Sequence, residues 1–321
     1  MLDFLDLSKA FDRVNHSILF RKLLGRNIPG IIVRILQHWY ACQQFVIQWG
    51  RALSEPFNVT NGVRQGGILS PILFNVFIDG LSEKLRKLSY GCHINYECFS
   101  HIVYADDTVL LAPSPNALQN LINVCSDYVN CNELLFNVKK TKCMSLLPPC
   151  MKGLNVPKFY INEMCVSVVS QECYLGFIVT NDHKEDEAIC KEIRSLYARG
   201  NAIIRKFRKC TQDVKKQLFL SYCTSFYCCS IWSNFKNSSL KRLHVAHNNI
   251  FRILFQLQQG VSVSQCFVTH NVPNFLVIRR KLVFSMYKRV FSSPNVLVSI
   301  ISNMVHFQNS QLYNKWNTVL Y

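Results

Sequence analysis

The stretch His101-Ile-Val-Tyr-Ala-Asp-Asp-Thr-Val-Leu-Leu-Ala112 places two adjacent carboxylates between two short apolar runs. Such runs on either side of polar residues predict a β-hairpin with Asp106 and Asp107 at its tip. Hairpin tips favour Asn-Gly or Asp-Gly because the turn needs a positive φ, so Asp-Asp is an unusual choice that also brings two like charges together. A divalent cation would offset this repulsion. For an isolated Asp-Asp pair, the ordinary alternative is a solvated polar turn.

The composition is that of a globular and strongly basic chain. It has 321 residues, which suffice for one large or two ordinary domains, and 49% of them are hydrophobic. This hydrophobic content excludes a disordered chain. The net charge is +17, from 36 Lys+Arg and 19 Asp+Glu. Such an excess predicts a polyanionic partner, phosphate or anionic lipid, with an inert basic surface as the alternative.

The fifteen cysteines are scattered and do not form a disulfide or zinc framework. No Cys-x2-Cys pair is followed by a second pair or by histidines at zinc spacing, so we expect reduced, buried thiols in an intracellular protein. No signal peptide is recognisable after Met1. The longest apolar stretch, residues 218–232, contains Ser and Thr and is shorter than a membrane span. It therefore predicts a core helix, and we expect no membrane partner.

Hydrophobic periodicity predicts a mixed first half and a helical second half. Residues 258–321 give no clear pattern. Strands are predicted over residues 1–7, 45–49, 57–63 and 142–147; helices are predicted from a Ser8 cap to Gly25, over residues 31–40, from Ser70-Pro71 through Leu88, and over residues 117–134, 185–208, 214–232 and 240–257.

A third carboxylate, Asp6, ends the first predicted strand within Leu5-Asp-Leu-Ser-Lys-Ala-Phe-Asp12. We expect a strand-end aspartate and a hairpin-tip pair to converge on one edge of a sheet. Three carboxylates can hold two divalent ions about 4 Å apart, the arrangement used for in-line phosphoryl or nucleotidyl transfer. Ligation by oxygen alone selects Mg²⁺ or Mn²⁺ rather than zinc.

With these motifs, the chain resembles reverse transcriptases of non-LTR (LINE-type) retrotransposons. Any single motif can arise by chance, but five occur in the order of that family. They are Leu5-Asp-Leu-Ser-Lys-Ala-Phe-Asp12, Gly62-Val-Arg-Gln-Gly-Gly-Ile-Leu-Ser-Pro-Ile-Leu-Phe74, Tyr104-Ala-Asp-Asp107, Asn137-Val-Lys-Lys-Thr141 and Tyr174-Leu-Gly176.

The resemblance implies a catalytic metal site in which two Mg²⁺ ions (or Mn²⁺) are bound. Asp6 and Asp106 would be the principal ligands, with the Leu7 carbonyl assisting. Asp107 would complete the acidic cluster more loosely than Asp106. One ion would activate the primer 3′-hydroxyl, and the other would hold the triphosphate and stabilise the leaving pyrophosphate.

The resemblance also implies contacts with the nucleotide. Phe11, five residues after Asp6, would lie under the sugar, where a planar ring clashes with a ribose 2′-hydroxyl and so favours deoxynucleotides. A core phenylalanine on a helix face is compatible with this role. Gln65 and Gly66 would contact the incoming nucleotide and the template base. Lys9 would reach phosphate, with an exposed helix lysine as the alternative.

Two further roles follow from the fourth and fifth motifs. Lys140 would protonate the leaving pyrophosphate, although Lys139 and Lys142 are close enough to compete for this role. Residues Tyr174, Leu175 and Gly176 would form a tight turn against the primer backbone, the primer grip. An ordinary hairpin glycine would need the same geometry.

The implied fold class is α+β: a polymerase palm, an antiparallel sheet backed by helices, followed by an all-α thumb-like module. We expect residues 1–150 to form the palm with residual finger elements, residues 151–182 the primer-grip region, and residues 183–321 the helical thumb-like and C-terminal region. Basic residues of the later helices would grip template and primer through phosphates, although a solvated helix face is the ordinary alternative. They are Arg194, Arg199, Arg205, Lys206, Arg208, Lys209, Lys215 and Lys216.

The expected function is RNA-directed DNA polymerase, with an RNA template, a DNA primer and dNTPs as partners, in the cytoplasm or nucleus as a ribonucleoprotein. The resemblance begins at the first palm motif, so the upstream fingers and endonuclease of the family are missing, as is a downstream zinc knuckle. We therefore expect a truncated chain. The alternative is a catalytically inactive relic that acts at most as a nucleic-acid-binding module.

Overall fold

The computed structural model describes residues 1–146, 156–258 and 260–321. The chain divides into two compact units, Met1–Glu172 and Cys173–Tyr321. The division of the sequence into residues 1–150, 151–182 and 183–321 stays a prediction, and its first boundary lies outside the described residues.

The first unit is built on a six-stranded sheet with the order β11-β12-β10-β1-β9-β8. The central strand β1 pairs antiparallel with both neighbours, so that Phe4 lies between Val109 and Lys142. Among the described strands of this sheet only the β10–β12 pair is parallel, which departs from the predicted antiparallel sheet. The strands are β1 (Leu2–Leu5), β8 (His101–Tyr104), β9 (Asp107–Leu111), β10 (Lys142–Met144), β11 (Phe159–Ile161) and β12 (Met164–Val168).

Within the part of this unit that the structure describes, short ribbons and four helices surround the sheet. Leu110 of the sheet, Phe77 of α3 and Leu121 of α4 belong to one buried core, which agrees with the hydrophobic periodicity from which these two helices are predicted. The ribbons pair β2 (Gln44–Phe45) with β5 (Phe57–Asn58), β3 (Gln48–Trp49) with β4 (Ala52–Leu53), and β6 (Cys92–Ile94) with β7 (Glu97–Phe99). The helices are α1 (His16–Gly25), α2 (Gly30–Ala41), α3 (Ser70–Arg86) and α4 (Pro115–Cys131).

The first helix begins later than the sequence predicted. The Ser8 N–H donates to the Leu135 carbonyl at 2.8 Å, and Lys9 has a left-handed φ of +50°, which a helix does not accept. Residues Phe11–Arg13 form only a 3₁₀ turn. The N-cap is Asn15, whose side chain accepts from the Ile18 N–H at 3.1 Å.

In its described residues, the second unit is helical apart from one hairpin. The first strand of this hairpin is β13 (Gln171–Tyr174), of which Cys173 and Tyr174 belong to the unit, and the second strand is β14 (Phe177–Thr180). Its core gathers aromatic side chains, among them the fully buried Phe219 and Phe251. α5 and α7 approach closely at Gly200, where a Cβ would lie 2.7 Å from the Ile250 side chain. The helices are α5 (Asp186–Phe207), α6 (Gln212–Tyr222), α7 (Asn237–Leu254), α8 (Val263–Thr269), α9 (Phe275–Phe291), α10 (Val296–Asn303), α11 (Val305–Gln308) and α12 (Gln311–Leu320).

The predicted helix over residues 214–232 is wrong in length. α6 ends at Tyr222, and Cys228 has a left-handed φ of +57° before a 3₁₀ turn over Cys229–Ile231. An α-helix cannot pass through a left-handed residue, so no single helix reaches residue 232, and residues 223–228 form a loop. Across the described residues, no helix has the length and apolar character needed to cross a membrane.

Candidate functional site

The two aspartates lie at the tip of the predicted hairpin. Tyr104 pairs with Asp107 across β8 and β9, which leaves Ala105 and Asp106 as a two-residue turn. Ala105 has the positive φ, +54°, that such turns normally assign to glycine or asparagine. Asp107 is the first residue of β9 and precedes the buried Thr108, which anchors the strand in the sheet.

Strand pairing brings Asp6 to the same end of the sheet. Leu5 pairs with Thr108, so the next residue of each strand in this antiparallel register is Asp6 on one side and Asp107 on the other. The Asp6 backbone is held from its other side, because its N–H donates to the Thr141 hydroxyl at 3.2 Å and its carbonyl accepts from the Asn137 N–H at 2.8 Å. The first, third and fourth motifs therefore meet at one sheet end.

The three carboxylates interact electrostatically. Partial desolvation raises the pKa of Asp107, and the like charges of Asp106 and Asp6 raise it further. Asp6, Asp106 and Asp107 of the predicted ligand set thus form a cluster of like charges, whereas the ligand role of the Leu7 carbonyl stays a prediction. The three carboxylates do not have the geometry of a formed metal site. Within the described residues, no group of three or more His, Cys, Asp or Glu side chains is arranged to hold a metal ion.

Phe11 lies beside the hairpin tip. Its ring stacks on the fully buried Phe74, with centroids 4.6 Å apart and planes inclined by 15°. Phe11 also lines a cleft of about 870 Å³ together with Tyr104 and Ala105 of the tip. The ring is therefore packed against the core on one side and reaches the cleft on the other, which makes the core and nucleotide-selecting interpretations compatible.

The second motif is docked on the first by backbone hydrogen bonds. The Gly62 N–H donates to the Val14 carbonyl and the Val63 N–H to the Phe11 carbonyl, both at 2.8 Å. Gly62 has φ +91°, and a Cβ there would lie 2.8 Å from the backbone oxygen of Asp12, so only glycine fits.

This docking brings Gln65 to Asp12. The Gln65 side-chain amide donates to the Asp12 carboxylate at 3.3 Å, and the neighbouring Gly66 has φ +84°. The role of Asp12 was missed from the sequence. Its place at the end of the first motif was the available signal, but its partner lies 53 residues away.

The two predicted phosphate-handling lysines occupy turns. Lys9 is exposed and left-handed, so it is not the helix lysine that the sequence allowed. Lys140 is exposed on the loop that holds Asp6, and its N–H donates to the Asn137 carbonyl at 2.9 Å. The Lys142 ammonium donates to the Lys139 carbonyl at 2.8 Å, which makes Lys142 a weaker competitor for the role of Lys140.

In the second unit, Leu175 and Gly176 form a tight turn between β13 and β14, with φ values of +47° and +81°. The tight turn predicted for this motif is present; its contact with a primer stays a prediction. Two of the eight basic residues predicted to contact phosphate instead lie in or bond to the interior of the unit. Arg199 donates to the buried Glu192 at 2.6 Å, and Lys215 is itself buried. Lys216 is partly exposed, and the exposed remainder are Arg194, Arg205, Lys206, Arg208 and Lys209.

Comparison with known proteins adds independent findings. Residues 1–179 match the family model described as reverse transcriptase (RNA-dependent DNA polymerase). The retrovirus-related Pol polyprotein of the type-2 retrotransposable element R2DM of Drosophila melanogaster is 32% identical over 172 residues, 54% of this chain and 15% of that protein. The Pol polyprotein of the R2 element of Popillia japonica is 28% identical, over 48% of this chain and 25% of that protein. The probable RNA-directed DNA polymerase from the Drosophila X-element is 24% identical over 78% of this chain and 28% of that protein.

The chain thus spans between 15% and 28% of the length of these relatives. Two solved telomerase structures, both in complex with a fragment of telomeric RNA, also match. The telomerase of Candida tropicalis aligns with a TM-score of 0.46 and 13% identity, over 99% of this chain and 49% of that one. The telomerase of Candida albicans aligns with a TM-score of 0.40 and 12% identity, over 99% and 50%.

Proposed function

The chain belongs to the reverse transcriptase (RNA-dependent DNA polymerase) family and is of the non-LTR retrotransposon type. From this premise we propose that it is the core of an RNA-directed DNA polymerase, which extends a DNA primer on an RNA template with dNTPs. The observation that carries the proposal is the register of β1 and β9. It brings Asp6 next to the hairpin tip with Asp106 and Asp107, across about a hundred residues of sequence.

The donor set fits divalent cations. Carboxylate and carbonyl oxygens are the ligands that Mg²⁺ prefers, and the mutual repulsion among Asp6, Asp106 and Asp107 is what a cation between them would relieve. We assign Asp6 and Asp106 as the principal ligands, with Asp107 and the Leu7 carbonyl supporting them. When bound, two Mg²⁺ ions would supply activation of the primer 3′-hydroxyl and neutralisation of the triphosphate.

Side chains of the first unit would select and orient the nucleotide. Phe11 is held flat by Phe74, so it cannot easily turn away from a ribose 2′-hydroxyl that enters the cleft beside it. The Gln65 amide is oriented by Asp12 and would contact the incoming nucleotide and template base together with Gly66.

Basic side chains would handle the phosphates. Lys140, on the loop that holds Asp6, would donate a proton to the leaving pyrophosphate, and Lys9 would contact the triphosphate. The exposed basic residues of the second unit would bind the template–primer backbone without reading its sequence, an interaction that weakens with salt.

Primer extension on poly(rA)–oligo(dT) in Mg²⁺ tests the proposal. We expect the chain to add dTMP and the Asp106→Ala variant to lose this activity. Asp127→Ala is the matched control, because it removes an exposed carboxylate on α4, and it should retain activity. Binding of the hybrid without any incorporation, or incorporation that survives in Asp106→Ala, would refute the polymerase assignment.

A further inference from the structure

The turn at Leu175 and Gly176 has an unfavourable backbone. Both residues have positive φ, and Leu175 carries a side chain that makes this conformation unfavourable. A turn of this kind keeps one geometry only where neighbouring groups hold it. The structure supplies those groups from the helical part of the same unit.

Both carbonyls of the turn are bonded to side chains. The Tyr227 hydroxyl donates to the Leu175 carbonyl at 2.5 Å. The Lys191 ammonium of α5 donates to the Gly176 carbonyl at 2.7 Å and to the Cys173 sulfur at 3.3 Å. The Tyr227 ring also packs against Gly176, since a Cβ at that position would lie 3.3 Å from the ring.

Tyr227 is in turn held in place by α5. The Glu192 carboxylate, which is buried, accepts a hydrogen bond from the Tyr227 backbone N–H. Arg199 donates to the same carboxylate at 2.6 Å and to the Ser225 carbonyl at 3.3 Å. A continuous set of contacts therefore runs from α5 through the loop of residues 223–228 to the turn.

We propose that Tyr227 and Lys191 are positioning residues for primer binding, which hold the turn of Leu175 and Gly176 in the conformation that receives the primer strand. This inference rests on the proposed function, which assigns Tyr174, Leu175 and Gly176 to the primer. Neither residue needs to touch a nucleotide, because each acts through a backbone carbonyl of the turn.

Binding of a fluorescein-labelled RNA–DNA hybrid, measured by anisotropy, tests the inference without requiring catalysis. Tyr227→Phe keeps the ring and removes only the hydroxyl, and we expect it to weaken hybrid binding by about three- to tenfold, the scale of one lost hydrogen bond. Backbone amides of residues 175–177 should exchange hydrogen faster in this variant, while protection of α7 stays unchanged. Tyr222→Phe, at an exposed tyrosine of α6, should bind within about twofold of the unaltered chain.

A second pair of variants separates positioning from charge. Lys191→Met should weaken hybrid binding to a similar extent, and Lys191→Arg, which keeps a charged donor, should restore most of it. In primer extension, Tyr227→Phe should raise KM for the hybrid and leave kcat nearly unchanged. If Tyr227→Phe loses hydrogen-exchange protection throughout α7, the variant is unfolding more widely. Hybrid binding by Lys191→Met and Lys191→Arg then decides whether the turn is positioned by these contacts.

Several results would overturn the inference: unchanged hybrid binding in both Tyr227→Phe and Lys191→Met, an equal loss in Tyr222→Phe, or no hybrid binding by the unaltered chain. The proposed function fails separately. Binding that depends on Tyr227 without any dTMP incorporation would retain the positioning role and reject polymerase activity. If incorporation is lost in Asp106→Ala but hybrid binding does not depend on Tyr227, polymerase activity would be retained and the positioning role rejected.

Discussion

Two aspartates, one within β1 and one directly after it, lie in opposite environments. Asp6 directly follows the last residue of β1 and is partly exposed, whereas Asp3 is fully buried and accepts a hydrogen bond from the Cys143 thiol at 3.0 Å. Burial raises the pKa of Asp3 to about 7, and the thiol hydrogen bond offsets this only in part. The sequence indicated the importance of Asp6 through its motif. The burial of Asp3 was not predicted, because it depends on the cross-strand neighbour that β10 supplies.

Asp3 predicts that stability falls as pH rises. Its pKa in the folded chain lies above the unfolded value of 3.8, so the folded form binds the extra proton and loses this advantage between about pH 4 and pH 7. Over the whole titration the free energy of unfolding falls by on the order of 4 kcal/mol, of which about 2–3 kcal/mol is lost between pH 5 and pH 8. Urea unfolding at pH 5 and pH 8 should show this difference in the unaltered chain and a much smaller one in Asp3→Asn. An equal pH dependence in both proteins would remove Asp3 as its cause.

Phe11 predicts the selectivity for deoxynucleotides. Phe11→Val removes the planar ring that Phe74 supports, so ribonucleotides should be accepted more readily. We expect the ratio of kcat/KM for dNTP over rNTP to fall by about tenfold or more, the scale of 1–3 kcal/mol of steric discrimination. Phe57→Val, at a half-exposed phenylalanine of β5, is the control and should leave the ratio unchanged. An unchanged ratio in Phe11→Val would remove Phe11 from this role.

At the scale of elements, local patterns predicted much of the structure and non-local pairings did not. α3 and α4 were predicted because their apolar residues recur at helical spacing over many turns. The docking of residues 61–63 on residues 11–15 was not predicted, since backbone hydrogen bonds between distant segments leave no periodic signal. The loop that carries Tyr227 was missed for a related reason: its apolar composition resembles a helix, and only the tertiary structure reveals the left-handed Cys228.

Because the second motif docks on the first at Gly62, we expect a substitution of Gly62 to destabilise the fold. Gly62→Ala would place a Cβ 2.8 Å from the Asp12 backbone, and backbone atoms cannot move aside as a flexible side chain can. Gly50→Ala is the matched control, because Gly50 also has a positive φ, +61°, but faces open space. Urea unfolding should show Gly62→Ala to be less stable than Gly50→Ala by about 1–3 kcal/mol. Equal losses would indicate that the close approach does not constrain this position.

The whole molecule combines two units with opposite responses to pH. His247 of the second unit is fully buried among aromatic rings, including Phe219 and Phe267. Burial lowers its pKa to about 4. Because this value lies below the unfolded one, His247 contributes its stability above about pH 6.5, and this contribution is lost as pH falls toward 4. Asp3 acts in the other direction in the first unit.

Hydrogen exchange can measure the two units separately. Between pH 8 and pH 5, after correction for intrinsic exchange rates, the slowest amides of α7 should lose protection equivalent to about 2 kcal/mol through His247. The slowest amides of β1 should gain a similar amount through Asp3 over the same interval. His247→Phe should abolish the acid sensitivity of α7 and leave β1 as it was. Protection that changes in the same direction in both units would contradict this division.

A divalent cation should stabilise the first unit. The repulsion among Asp6, Asp106 and Asp107 is relieved when Mg²⁺ binds, so millimolar Mg²⁺ should raise Tm, and Asp106→Asn should reduce the shift. Asp127→Asn, with its exposed carboxylate on α4, should keep the full shift. The same shift in all three proteins would assign the effect to general screening by salt.

We propose that residues far apart in the sequence form one polymerase site, and single-nucleotide incorporation by Asp6→Asn is the sharpest test of this arrangement. Asp6 reaches the hairpin tip only through the pairing of β1 with β9. On poly(rA)–oligo(dT) with Mg²⁺, Asp6→Asn and Asp106→Asn should each lower the rate of dTMP addition by about a thousandfold, with Asp127→Asn unaffected. Incorporation by Asp6→Asn at the rate of the unaltered chain, while Asp106→Asn is inactive, would show that Asp6 is not part of the polymerase site.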